Sequence, residues 1–165
     1  MPFAVTHILV SLFFIDLYRR FILKRKDFPP WLVFIGGLAG LLPDIDYVIY
    51  WILQIFITID PLLIHGPYTH NLFIPLALLV LSLCFWKWKT TSHVFIIISM
   101  GYTIHLLLDA LFSQKVLLYP LSSMKFGLDL IPDASLIPFY MSLDAILLVL
   151  WLFYEWKTKK IRSFT

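Results

Sequence analysis

The sequence predicts an all-α fold: a polytopic bundle of helices in a membrane, with about five segments and the second of them broken at Pro43. Three observations predict it. Apolar residues make up 61% of the 165 residues and aromatic residues 18%, and mean hydropathy is +0.88, more apolar surface than a soluble chain of this size can hide. These residues fall in runs whose lengths approach the roughly 20 that a helix needs to cross about 30 Å of hydrocarbon. Basic residues collect where alternate runs end, as they do at cytoplasmic membrane faces.

The first run, Phe3–Leu23, is followed by Arg19, Arg20, Lys24, Arg25 and Lys26 around its end. Met1–Leu17 carries no basic residue, whereas a secretory signal has its charge before the apolar stretch, so a retained helix is expected. A short turn, Lys24–Pro30, leads to the second run, Trp31–Ile59. Pro43 lacks a backbone donor and its ring clashes with the preceding turn, which breaks the helix there. Gly36, Gly37 and Gly40 precede the break and permit close helix packing in a bilayer. With only Trp31–Leu42 ahead of the break, the remainder from Asp46 to Ile59 is expected to be shallow or tilted.

The third run, Asn71–Trp86, ends at Lys87 and Lys89, and Lys87–Ser92 forms a polar turn on the same side as the first. The fourth is Val94–Phe112. After it comes the longest connection, Ser113–Ile137, whose apolar patches Leu117–Leu121 and Phe126–Ile131 belong in the membrane interface or against the bundle. The fifth, Pro138–Tyr154, is followed by Lys157, Lys159, Lys160 and Arg162. If the runs alternate in direction, eleven of the thirteen basic residues share one face. That face is cytoplasmic by the positive-inside rule, so the N-terminus lies outside and the C-terminus inside an inner or plasma membrane. The chain divides into a helical domain over 1–156 and a basic cytoplasmic tail over 157–165. Lipid head groups account for the basic ends better than nucleic acid does. Cys84 is the single cysteine, which excludes an intrachain disulfide and a thiolate zinc site.

Ionisable side chains inside such a bundle cost about 2.5–3.5 kcal/mol each on insertion scales, so they pair or face a wet cavity. With the predicted topology, His7, Asp44, Asp46, His65, His70, His105 and Asp109 all fall toward the outer side. His105 and Asp109 are four apart, on one face of a helix and about 5–6 Å apart at Cβ, a spacing that suits a shared ion or a neutral histidine bonded to a carboxylate. Asp44 and Asp46 flank the proline break, where mutual repulsion calls for a cation; helix capping is the other reading. His65 and His70 join two imidazoles through a turn, and imidazole is the commonest metal-binding side chain. His7 taken alone fits a capping or surface role better than that of a ligand. His93, beside Lys89 on the cytoplasmic side, serves as an internal control. Asp16 and Asp144 read as buried partners or as supports for the ligands.

Thr6-His7, Gly40-Leu41-Leu42-Pro43-Asp44-Ile45-Asp46, His65 through Thr69-His70, and Gly101-Tyr102 through His105 to Asp109 occur in that order, followed by Tyr119-Pro120-Leu121. Together they resemble the YdjM-like family over about residues 1–155, a family described as LexA-binding, inner-membrane-associated and of metal-dependent hydrolase type. The resemblance implies a membrane-embedded relative of the zinc-dependent phospholipase C and single-strand nuclease superfamily, in which a helix bearing His-x-x-x-Asp supplies ligands to metal ions that activate water. His105 and Asp109 match that element. His7, Asp44 or Asp46, and His70 match the other ligand positions more loosely. The chain lacks the later His-x-x-x-Glu pair of the soluble enzymes, and Gly66 stands where family members commonly carry an arginine.

A set of nitrogen and oxygen donors suits zinc, with manganese or iron as alternatives. A catalytic zinc lowers the pKa of its water from 15.7 to about 7, and Asp44 or Asp46 is the expected acceptor of the water proton. The only glutamate, Glu155, lies at the cytoplasmic end. The expected function is hydrolysis of a phosphoester in a lipid or lipid-linked substrate at the outer leaflet. Two other functions fit the same residues: a non-catalytic, metal-stabilised membrane scaffold or sensor, whose ion has no open position, and an ion transporter, since broken helices and buried carboxylates occur there too.

Overall fold

The computed structural model describes residues 4–23, 29–58, 66, 68–130 and 137–157. They form α1 (Ala4–Leu17), continued by a π-helical turn at Tyr18–Ile22, then α2 (Pro30–Ala39), a 3-10 turn at Leu42–Asp44, α3 (Ile45–Gln54), α4 (Phe73–Cys84), α5 (Lys89–Phe112) and α6 (Ile137–Lys157). Among the described residues there is no strand, only an isolated antiparallel bridge between Lys115 and Phe126.

The break predicted at Pro43 is present. Pro43 sits in the 3-10 turn, and the two flanking pieces, Trp31–Ala39 and Leu42–Gln54, meet at a bend of 46°. Of the expected membrane segments, α5 is long and apolar enough to cross a bilayer by itself, and α2 with α3 qualifies as a second, broken span. The helix α4 has 12 residues, about 18 Å at 1.5 Å per residue, which falls short of a hydrocarbon core about 30 Å thick.

Contacts between helices fix the direction of α1, α2, α4, α5 and α6. Gly36 of α2 and Gly40 just after it pack on Ile15 and Ser11 of α1, so these two run antiparallel. Gly36 also meets Ile97, and Gly101 meets both Gly36 and Gly40, so α2 and α5 run parallel. Ser99 donates to the Pro75 carbonyl and Ser92 to that of Ser82, which makes α4 and α5 an antiparallel hairpin. Thr6 of α1 donates to Asp144 of α6, and Tyr154 of α6 to Asp16 of α1 at 3.3 Å, so those two run parallel. These five helices thus alternate in direction along the chain. One end gathers the start of α1, the end of α2, and the start of α4, the end of α5; the opposite end carries Arg19, Arg20, Lys89 and Lys157.

The interior is inverted relative to a soluble core. Among the described residues, seven buried side chains are hydrophobic and twelve are polar or charged, while Phe14, Ile52, Leu83, Leu107, Val149 and many like them are exposed. A bilayer solvates apolar surface and penalises polar groups, so this distribution belongs to a chain whose polar residues find partners inside. The apolar centre is small: Ile15, Leu32 and Ile97, with Val33, Val94 and Met100 against them. On α5 the buried residues Ile97, Gly101, His105 and Asp109 recur every fourth position, a stripe on one helical face. Gly101 permits the crossing, since a Cβ there would stand 2.3 Å from the Gly36 carbonyl oxygen.

Candidate metal centre

The polar stripe of α5 leads to a cluster at the end of the bundle opposite the basic helix ends. His105 and Asp109 come from α5, His7 from the first turns of α1, Asp44 from the break between α2 and α3, and His70 from the turn before α4. Four atoms converge. His70 Nε2 lies 3.4 Å from Asp44 Oδ1 and 3.4 Å from Asp109 Oδ2. His105 Nε2 lies 3.6 Å from Asp44 Oδ1, 3.7 Å from Asp109 Oδ2 and 3.4 Å from His70 Nε2. The other oxygen of Asp109 faces His7 Nε2 at 3.3 Å, and the His7 and His105 rings lie 3.9 Å apart at their centroids.

Each of the two central rings has its proton placed by what stands behind it. His105 Nδ1 is 2.6 Å from the Gly40 carbonyl oxygen. A carbonyl only accepts, so Nδ1 carries the hydrogen and the neutral ring presents an Nε2 lone pair to the cluster. Behind His70, the Thr69 hydroxyl donates to Asp46 Oδ2 at 2.6 Å and lies 3.0 Å from His70 Nδ1. With its hydrogen committed to Asp46, the Thr69 oxygen accepts from Nδ1, and His70 Nε2 is basic as well. Two imidazole lone pairs and two carboxylate oxygens therefore face one another inside the protein, an arrangement that repels itself unless a metal ion, or a proton on His70 Nε2, lies between.

The spacing fits a metal ion. Four donors about 2.0–2.1 Å from a tetrahedral zinc stand about 3.3 Å apart, and the separations within the triads Asp44–His70–His105 and His70–His105–Asp109 run from 3.4 to 3.7 Å. Charge points the same way. Of the three carboxylates Asp44, Asp46 and Asp109, Asp109 is paired with the Lys115 ammonium at 3.1 Å, and with neutral imidazoles one divalent ion would offset the other two negative charges. His7, His70, His105, Asp46 and Asp109 are all 2% exposed or less, whereas the side chain of Asp44 is 27% exposed. Asp44 is the wet edge of the centre.

The break serves this geometry. Asp44 occupies the residue before α3, yet its side chain makes no capping bond; the carboxylate is turned to His70 and His105 instead. His70 is held through its backbone by the Gly66 carbonyl at 2.9 Å. The next residue, Asn71, accepts from the N–H groups of Phe73 and Ile74 and donates to the Tyr68 carbonyl, which ties the turn to the start of α4. Tyr102 of α5 donates to the Thr69 carbonyl. Burial of His70 opposes its charged form, but the carboxylates of Asp109 and Asp44 outweigh that and hold the imidazole above its ordinary pKa.

Of the seven residues expected from the sequence, the structure brings His7, Asp44, His70, His105 and Asp109 together. Asp46 stands behind His70, with its Oδ2 3.8 Å from Nδ1 and bonded to Thr69. His65 lies outside the described residues. His93 is half-buried, bonded to the Lys89 carbonyl, twelve residues or about 18 Å along α5 from His105. Asp16 is occupied at the other end by Arg19 at 2.7 Å and Arg20 at 2.5 Å. Those two arginines are thus partly neutralised, and they say less about membrane orientation than their number implies. Sequence reasoning missed Thr69 and Lys115. Lys115 had a signal: with Lys125 it is one of two basic residues that depart from the clustering of the other eleven.

The model of a family described as YdjM inner membrane protein matches residues 1–162. No curated protein matches the chain, and no solved structure does.

Proposed function

The chain belongs to the YdjM inner membrane protein family, and on that premise we propose that it is a membrane-embedded, metal-dependent hydrolase that cleaves a phosphoester of a lipid or lipid-linked substrate. The observation that carries this reading is the convergence of two imidazole lone pairs and two carboxylate oxygens, from three separate parts of the chain, with five separations of 3.4 to 3.7 Å among them. Zinc is the expected ion for that donor set, with manganese or iron as alternatives. A divalent ion held there supplies Lewis-acid activation of water and of the phosphoryl oxygen. The protein's own groups set the conditions. The Gly40 carbonyl and Thr69 hydroxyl keep both Nδ1 protons away from the centre, and the buried wall of His7, His105 and Asp109 excludes bulk solvent. Asp44, at the exposed edge, would take a proton from water and return it to a leaving group through the carboxylate oxygen that does not face His70 and His105.

In the proposed topology the five helical segments cross the membrane with the N-terminus outside. The centre then opens at the outer leaflet, the level of lipid head groups, and the basic ends meet the cytoplasmic leaflet. The test begins with elemental analysis of protein purified in detergent, comparing the parent with His105→Ala and His93→Ala. Bound metal in the parent and in His93→Ala, lost in His105→Ala, is the expected result. Metal that is absent, or kept equally by both variants, would remove the basis of the reading. Metal-loaded protein that cleaves neither phospholipid nor lipid-linked phosphate with zinc, manganese or iron would remove the enzymatic part.

One observation favours a second reading, a metal-stabilised scaffold. Four protein donors gathered at one centre, enough to fill a zinc ion's coordination, are the pattern of a saturated structural site. X-ray absorption separates the two: four protein donors and no water-derived oxygen supports the scaffold, and an additional light scatterer supports the hydrolase.

A further inference from the structure

The connection after α5 folds back over the cluster and brings a cation to it. Lys115 exchanges both backbone hydrogen bonds with Phe126 at 2.8 Å each, and the returning chain is tied to the last turn of α5 by Leu128 to the Ala110 carbonyl at 2.8 Å and Leu130 to the Leu111 carbonyl at 3.1 Å. Leu72, two residues after His70, donates to the Leu117 carbonyl at 2.9 Å. Gly127 makes the return possible, since a Cβ there would stand 2.3 Å from the Ser113 carbonyl oxygen. The Lys115 side chain is only 12% exposed, and its Nζ lies 3.1 Å from Asp109 Oδ2. That is the same oxygen that faces His70 and His105.

We propose that Lys115 is the anion-positioning residue of this centre, and that the ligand it positions is a phosphate-type oxyanion. The proposal rests on the metal reading above. If a divalent ion draws on Asp109 Oδ2, the ammonium and the ion become neighbours of like charge around one carboxylate oxygen. An oxyanion that bridges them satisfies both, with one oxygen toward the ion and another accepting from Nζ. Phosphate suits this bridge better than a halide or water because it offers several acceptor oxygens in different directions, and a lysine ammonium is a compact point charge that recognises it without a fixed fork. Asp44, the exposed edge of the centre, leaves room for entry. The backbone bridge to Phe126 restricts where the Lys115 side chain can reach, which is what a positioning group requires.

Lys125 supplies the control: it is exposed on the same connection and carries the same charge. The experiment measures bound metal and phosphate affinity on detergent-purified parent, Lys115→Ala, Lys115→Arg and Lys125→Ala. The two probes are inorganic phosphate and dihexanoyl phosphatidic acid. The expected result is metal retained in all four, phosphate affinity at least about tenfold weaker in Lys115→Ala, partial recovery in Lys115→Arg, and no change in Lys125→Ala. Tighter binding of the lipid phosphate assigns the oxyanion to a head group, and equal binding assigns it to free phosphate. Equal phosphate affinity in Lys115→Ala and Lys125→Ala, or no phosphate binding by the parent, would overturn the proposal. Metal content is read separately, so a parent that binds phosphate through Lys115 without metal would leave the anion role standing and remove the metal centre.

Discussion

The Thr69 hydroxyl donates to Asp46 and accepts from His70, so one small side chain decides which nitrogen of that ring is basic. Supports of this kind behind a metal-ligating histidine are worth about 10–100-fold in metal affinity. Thr69→Val keeps the shape and removes the hydroxyl, and it is expected to weaken metal binding within that range while the fold persists; competition with a chromogenic chelator measures it. His70 also predicts a pH dependence. Its folded-state pKa is raised by the Asp109 and Asp44 carboxylates against the opposing effect of burial. A raised histidine stabilises the metal-free protein fully below the unfolded value of about 6.5, and the contribution is lost as pH rises through the folded value. Metal-stripped parent should therefore exceed metal-stripped His70→Gln in thermal stability by a larger margin at low pH than at alkaline pH. Metal binding runs the other way, since the ion competes with the proton and its affinity should fall as pH is lowered.

Between elements, the decisive contact is the crossing of α2 and α5. Gly101 lies against Gly36 and Gly40, and the same approach brings the Gly40 carbonyl to His105 Nδ1. Packing and ligand orientation thus depend on one pair of helices. Gly101→Ala places a methyl against backbone that cannot yield as a side chain would, and overpacking of this sort costs about 1–3 kcal/mol. The expected outcome is a lower melting temperature in detergent together with weaker metal binding. Leu107→Ala, on the exposed face of the same helix, should change stability by less than about 0.5 kcal/mol. The break at Pro43 acts at this scale too: a continuous helix would carry Asp44 past the cluster, whereas the 46° bend leaves its carboxylate turned back toward it.

For the molecule as a whole, alternating helix directions separate two kinds of charge. The His/Asp cluster and Lys115 occupy one end, and Arg19, Arg20, Lys89 and Lys157 the other. In a membrane this predicts opposite accessibility of the two ends. In a Cys84→Ser background, a membrane-impermeant maleimide added outside should label Lys125→Cys and not Lys87→Cys, and inverted vesicles should reverse the pattern. Labelling of both from one side would sink the proposed crossing number while leaving the cluster intact.

Much of this was legible in the sequence because its causes are local or collective. Apolar composition speaks for the solvent, a proline for the break, and four-residue spacing for His105 and Asp109 on one face; these follow from backbone chemistry and helical period and need no knowledge of neighbours. The tertiary structure decided what depends on distance between remote residues. It assigned Asp44 to the cluster edge and Asp46 to the back of His70, although the two are chemically identical and two positions apart. It committed Asp16 to a pair of arginines, and it brought Lys115 onto Asp109 through a folded connection. No local pattern encodes those choices, because each is made by which helix or turn happens to lie within hydrogen-bonding reach.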